Sequence, residues 1–207
     1  MALSHAPGAQ AQAEHATPLE VVPAAAAPPR PFQVAYLRFG LGTTFDANKS
    51  YRCTRLAMEY APMLTCHLGM AGRLVGVAGT PTDGGAFGPW IYQLPNQNYK
   101  SGHAEGEVLF YPFGNAKRVC FALGAGGFAG YYKDNGFSFV NLLDGHIIDC
   151  RLLSHQGSYG GYLVSLNLDV ALGPQKRWLV GLRVAQQKGL GGVTDVPSET
   201  FTLARRL

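Results

Sequence analysis

Charge is what this chain has least of. Asp, Glu, Lys and Arg make up 14% of its residues, against about 25% in ordinary soluble domains. Long apolar runs are also missing. A membrane-spanning helix needs about 20 consecutive apolar residues. The longest uncharged candidate, Val119 to Tyr132, is broken by Gly124, Gly126, Gly127 and Gly130 and reads as a strand. No basic run exceeds Lys176-Arg177 or Arg205-Arg206. A net charge of +4 without a concentrated patch does not suit a nucleic acid, so no nucleic-acid partner is expected. The cysteines Cys53, Cys66, Cys120 and Cys150 have no Cys-x-x-Cys spacing, so no zinc site is expected. No other metal-ligand cluster stands out, and no cofactor is expected.

What is present is apolar, aromatic and small. Apolar residues are 47% and aromatics 11%, which excludes a mostly disordered chain. Glycine accounts for 27 of 207 residues. Each glycine inside a helix costs roughly 1 kcal/mol, which argues against a helical bundle. Such a chain is either all-β or meets a solvent other than water.

Residues 1–31 differ from the remainder. They are rich in Ala, Gln and Pro, with Pro18, Pro23, Pro28, Pro29 and Pro31, and predict a disordered or polyproline-like tether. A complete signal peptide, with a basic stretch followed by an apolar one, is absent. Ala9-Gln10-Ala11 and Ala11-Gln12-Ala13 do match the small-x-small end of one. The expectation is a secretory precursor whose signal peptide is missing or truncated here.

The second unit, 32–207, predicts an antiparallel up-and-down transmembrane β-barrel. Turn residues separate eight predicted strands: Gln33–Asp46, Tyr51–Tyr60, Leu64–Gly79, Tyr99–Tyr111, Arg118–Tyr132, Tyr159–Leu172, Arg177–Gln187 and Glu199–Leu207. Tight turns fall at Ala61-Pro62-Met63, 112–117 and 173–176, and long loops at 80–98 and 133–158. Short turns at one end and long loops at the other are the mark of a membrane barrel. In 133–158, Asp144-Gly145 is a two-residue hairpin signal. It makes the segment either an external hairpin on eight strands, the favoured reading, or two further wall strands, giving ten.

Alternation along the strands separates two faces. Tyr162, Val164, Leu166, Leu168, Val170 and Leu172 alternate with Gly161, Leu163, Ser165, Asn167, Asp169 and Ala171. Period two this sustained sets one face against an apolar medium. The other face holds the charges together with Gly40, Gly42, Gly69, Ala71, Gly124, Gly126 and Gly181. Small residues suit the narrow interior of an eight-stranded barrel, so that face is read as the lumen. Its members are Arg38, Arg55, Glu59, His67, Arg73, His103, Glu105, Glu107, Asp169 and Arg183. Four arginines against four carboxylates permit pairing, which makes the lumen a plug. Aromatics near strand ends are read as interfacial girdles: Tyr60, Tyr111, Phe113 and Trp178 at the short turns, Phe45, Tyr51, Tyr99, Tyr131, Tyr132 and Tyr159 at the loops. Arg205 breaks the parity and is placed at the interface.

Three stretches carry a resemblance: Glu107 to Arg118, Gly160 to Val170 and Trp178 to Val184. They resemble the small outer-membrane β-barrel proteins of Gram-negative bacteria, the OmpA-transmembrane-domain and OmpX-like group. The resemblance covers roughly residues 32–207. It implies the bacterial outer membrane as location, with outer-membrane lipids and the outer-membrane assembly machinery as partners. That machinery reads a last strand ending in an aromatic residue. This chain ends in Leu207, with Phe201 and Leu203 on the matching face. A monomer with a structural or surface-interaction role is expected, without a catalytic site.

Other readings stay open. A lipid A-modifying hydrolase or acyltransferase would use His155 and Ser158 with a nearby acid. A soluble lipocalin-like barrel would turn the apolar face inward. Gly124-x-Gly126-x-x-Ala129 matches a loose dinucleotide fingerprint but lacks a following helix. Cys53 and Cys150 both lie toward the loops, where they would either bond or remain thiols.

Overall fold

A computed structural model describes residues 34–45, 51–81, 97–143, 146–190 and 195–207. The segment 1–31, the Asp144-Gly145 turn and the side chain of Cys150 lie outside the described residues. The expected tether, hairpin tip and Cys53–Cys150 pairing lie there too. Eight strands follow in chain order: β1 (Ala35–Phe45), β2 (Tyr51–Pro62), β3 (Leu68–Pro81), β4 (Asn98–Phe110), β5 (Val119–Leu143), β6 (His146–Leu172), β7 (Trp178–Gly189) and β8 (Asp195–Arg206). They form one closed barrel in which each strand pairs with its sequence neighbours. All pairings are antiparallel, and β8 closes onto β1 from Tyr36↔Arg206 to Thr44↔Ser198. The strand number is therefore eight, and the ten-strand alternative falls away.

The wall is turned inside out relative to a water-soluble barrel. Leu74 is 68% exposed and Phe201 71%, whereas Arg55 is 1% exposed. The outward row Tyr162, Val164, Leu166, Leu168, Val170 and Leu172 is exposed throughout, and its alternates Leu163, Ser165, Asn167 and Asp169 are buried. This geometry runs against the lipocalin-like reading, which needs the apolar face inside. Arg205 points outward at the short-turn end, its guanidinium 5.8 Å from the centre of the Trp178 ring. That contact lets a charge sit beside an interfacial aromatic.

Two boundaries differ from expectation. The β2–β3 turn does not lie at Ala61-Pro62-Met63. Pairing continues to Met63↔Gly69, and the chain reverses at residues 64–67. There the Thr65 hydroxyl accepts hydrogen bonds from the backbone N–H of His67 (3.1 Å) and Leu68 (2.9 Å). A side chain that mimics a turn acceptor holds this bend. The second difference is the segment 133–158. β5 and β6 run through it, reaching 25 and 27 residues, while β1 has 11 and β3 has 14. Two register shifts interrupt their pairing, between Phe137 and Phe139 and between Asn141 and Leu142.

The long pair outruns its neighbours. β4 accompanies β5 only as far as Asn98↔Asn135, and β7 accompanies β6 only as far as Gly161↔Gly189. Beyond these points, among the described residues, β5 and β6 pair with each other alone. The 14 residues from His146 to Tyr159 extend roughly 45 Å at 3.2–3.4 Å per residue. A two-stranded ribbon therefore rises from the loop end of the barrel.

Candidate functional site

The lumen is built from cross-strand pairs. The register sets Arg38 opposite Glu59, Glu59 opposite Arg73, and Arg73 opposite Glu105. Sign alternates across four adjacent strands, and directly opposed unlike charges stabilise a sheet. Arg38 Nη1 lies 3.1 Å from Glu59 Oε1. Arg73 binds Glu59 on one side and Glu105 on the other, and reaches Glu107 at 3.2 Å.

Other contacts span the lumen. Arg38 Nη2 donates to Asp169 Oδ2 at 2.7 Å. Arg183 Nη2 lies 3.4 Å from Glu105 and 3.2 Å from Glu107. Arg55 pairs with Glu105. The Ser165 hydroxyl donates to Glu107, and Asn167 donates to Ser165 at 3.1 Å. All eight charged groups are buried, none more than 4% exposed. Among the described residues four arginines meet four carboxylates, so the layer is neutral. A buried carboxylate without such partners is very costly.

Glycines make the space. A Cβ at Gly124 would collide with the Glu107 carboxylate, and one at Gly181 with that of Asp169. Gly124 and Gly126 of the apparent dinucleotide fingerprint thus sit in an uninterrupted strand facing these acids, and no helix follows them. The void left among Arg38, Arg55, Arg73 and Arg183 is about 10 Å³, at or below the space one water needs.

Above it, toward the loops, lies an aromatic layer. Tyr51 stacks on Tyr99, Tyr99 on Tyr132, and Tyr159 meets both Tyr132 and Phe128. His103 joins the layers. Its Nδ1 is 2.7 Å from the Tyr159 hydroxyl and its Nε2 is 3.0 Å from Glu105. Gln187 Nε2 donates to Glu105 at 2.7 Å. Below the charges, toward the short turns, Tyr36, Met63, Leu109, Tyr111 and Leu179 form an apolar floor.

The expected lumen residues Arg38, Arg55, Glu59, Arg73, His103, Glu105, Glu107, Asp169 and Arg183 all face inward. His67 does not. It is exposed in the 64–67 bend, with Nδ1 3.1 Å from the neighbouring Cys66 sulfur, because the turn comes later than the pattern indicated. Of the girdle residues, Tyr60, Tyr131 and Trp178 point outward, each about half exposed. Tyr111 and Tyr159 are corrections. Tyr111 is 2% exposed and continues the inward row of Glu107 and Leu109. Tyr159 continues that of Gly161 and Leu163 and binds His103. Strand parity, applied to them as to the charges, would have assigned both. Tyr51, Tyr99 and Tyr132 are corrections of the same kind: expected in the girdle, they stack on one another in the inward aromatic layer, on the parity of His103 and Phe128.

The ribbon does not bring His155 and Ser158 together. His155 pairs in register with Asp134 and Ser158 with Tyr131. Three residues apart on a strand, their side chains project from opposite faces of the ribbon. Among the described residues no group of His, Cys, Asp and Glu is placed to hold a metal ion. Cys66 is exposed and Cys120 buried, and neither is bonded.

No family model and no curated protein matches the chain. Solved structures do. The N-terminal β-barrel domain of Pseudomonas aeruginosa OprF is similar over 86% of this chain and 100% of its own, at 7% identity and a TM-score of 0.52. Neisserial surface protein A is similar over 84% of this chain and 95% of its own, at 13% identity and a TM-score of 0.51. At such identities the likeness is one of architecture. The architecture is that of the small eight-stranded outer-membrane β-barrels.

Proposed function

We propose that this chain is a bacterial outer-membrane protein whose barrel anchors, and does not conduct, and whose external ribbon pairs with an extended strand of a partner protein. The outward apolar rows and the outward Tyr60, Tyr131 and Trp178 support membrane insertion. The void of about 10 Å³ supports a closed lumen.

The edge of the ribbon that no described strand covers carries the interaction reading. Gly160 directs its carbonyl toward β7, where it accepts the N–H of Leu190 at 2.9 Å. Pairing with β5 is regular from Tyr159 to Ser154. Ser158, Gln156 and Ser154 therefore direct their N–H and C=O groups to the same side, beyond the end of β7. Proteins blunt such edges with lysine, proline or a bulge. The stretch Ser154-His155-Gln156-Gly157-Ser158 carries none of these. An open edge of this kind is the template for strand addition.

The test is peptide selection against the barrel in lipid nanodiscs. Selected peptides are expected to bind the parent chain and to lose binding to Gln156→Pro. That substitution removes a free-edge N–H and leaves the bonds to β5 in place. Binding unaffected by the proline would sink the ribbon reading. An open-channel current in planar bilayers would sink the closed lumen.

A further inference from the structure

The register places Lys100 of β4 directly opposite Lys133 of β5. Both are exposed on the outward face at the loop end. Like charges directly opposed in a sheet destabilise it. Among the described residues no carboxylate lies within ion-pair distance of either ammonium. The outward lysine of β7 differs: Lys188 stands opposite Asp195 in register.

The wall beneath the lysine pair is indented. The rows continue as Gly102↔Tyr131, Ala104↔Ala129 and Gly106↔Gly127, so five of these six positions carry a methyl group or less. A Cβ built at Gly72, Gly76 or Gly106 would meet nothing within 4 Å. These glycines therefore relieve no crowding inside the barrel. They thin its outer surface. Leu74 and Tyr162, both exposed, stand to either side. A depression of about 560 Å³ runs past Gly72, Gly106 and Ala125. A second, shallow one, about 1170 Å³, passes over Gly76, Ala104 and Tyr131 and spreads on across β1, β2, β7 and β8 past Phe39, Leu56, Val180 and Phe201.

Charge and shape select the same occupant. Two uncompensated ammonium groups at one point call for an anion with several oxygen acceptors. An apolar channel below them, within the membrane belt, calls for hydrocarbon. The long-loop end of such barrels faces the external leaflet. We propose that the outer wall of β3–β5 binds a phosphate-bearing lipid of the external leaflet, with the phosphate between Lys100 and Lys133 and an acyl chain along Gly102, Ala104 and Gly106. The site rests on the membrane reading above and is independent of the ribbon.

The experiment uses the full chain in nanodiscs of phosphatidylcholine doped with bis-phosphorylated lipid A. Retained lipid is counted by native mass spectrometry after extraction into mild detergent. Heat-modifiable gel mobility confirms that each variant is folded. The expected result is lipid A held by the parent chain and by Lys188→Ala, with retention weakened roughly tenfold or more in the Lys100→Ala/Lys133→Ala variant. Ala104→Leu/Ala129→Leu, which fills the channel and leaves the lysines, is expected to weaken retention as well. Dephosphorylated lipid A and inorganic phosphate alone are expected not to be held. Equal retention by the double-lysine variant, or equal retention of the dephosphorylated lipid, overturns the site. Retention untouched by the two leucines overturns the acyl channel. A chain that inserts and folds but holds no lipid A overturns this site alone. A chain that never enters the nanodiscs overturns the membrane reading with it.

Discussion

The lumen and the ribbon are built from the same strands and obey opposite rules. Inside the barrel, β6 places Ser165 against the buried Glu107 carboxylate with Asn167 behind it, and each of the eight charges has at least one partner of opposite sign. Some 30 Å farther along the same two strands, Gln156 and Ser154 direct backbone groups beyond the end of β7. The difference shows how location sets the required bookkeeping of polar groups. In a dry interior an unpartnered donor costs about 1–3 kcal/mol, so partners must be built in. In water the solvent supplies them, and an edge can stay open for another chain.

Removal of Glu105 should separate the two regions most sharply. It binds Arg55, Arg73 and Arg183. Glu105→Ala leaves buried cations uncompensated and should lower the unfolding free energy by about 3–5 kcal/mol. Urea titration in detergent, read by heat-modifiable mobility, measures it. An unchanged midpoint would mean that the lumen is wet, like the ribbon. A charge on the outer wall comes next. Leu166→Arg, outward in the middle of β6, should cost about 2–4 kcal/mol in the same assay. Gln156→Arg on the ribbon should change stability by less than about 0.5 kcal/mol. Equal effects would erase the boundary between belt and ribbon.

Tyr159 sits where the regions meet. Tyr159→Phe removes the hydrogen bond to His103 Nδ1 and should cost about 1 kcal/mol. A loss near zero would place that hydroxyl on the water side. The last comparison concerns the ribbon itself. Deleting residues 137–152 and joining the ends with Asn-Gly should move the barrel's unfolding free energy by less than about 1 kcal/mol. A larger loss would show that the ribbon braces the barrel.

Much of the wall was legible because period two is a strong signal when one face is apolar. In β6 and β7 the alternation of Leu166, Leu168, Val180 and Leu182 with Asn167, Asp169, Gly181 and Arg183 fixed both faces. The lumen charges followed from parity alone. Closeness to a strand end is a weaker guide than parity, and Tyr51, Tyr99, Tyr111, Tyr132 and Tyr159 are the residues at which the two disagree. The ribbon is legible as a hairpin around Asp144-Gly145, but its continuity with the wall strands β5 and β6 is not. Around Lys133↔Gln156 and Asn135↔Ser154 both residues of each pair are polar, so no apolar contrast marks a period and burial sets no register. The partners across the lumen were equally hidden. Arg38 and Asp169 are 131 positions apart, and only the closed barrel with its strand stagger brings them together.

The sign alternation through Arg38, Glu59, Arg73 and Glu105 bears on how the barrel is assembled. Strands β1–β4 carry Arg38, Arg55 and Arg73 against Glu59, Glu105 and Glu107. Strands β5–β8 carry Asp169 against Arg183. Within this buried charge layer each half of the chain is electroneutral by itself. A growing four-strand sheet can therefore leave water without dragging a net charge behind it. Closure then exchanges partners: Arg38 takes Asp169, and Arg183 takes Glu105 and Glu107. The ion pairs across the lumen act as a latch between two self-neutral halves.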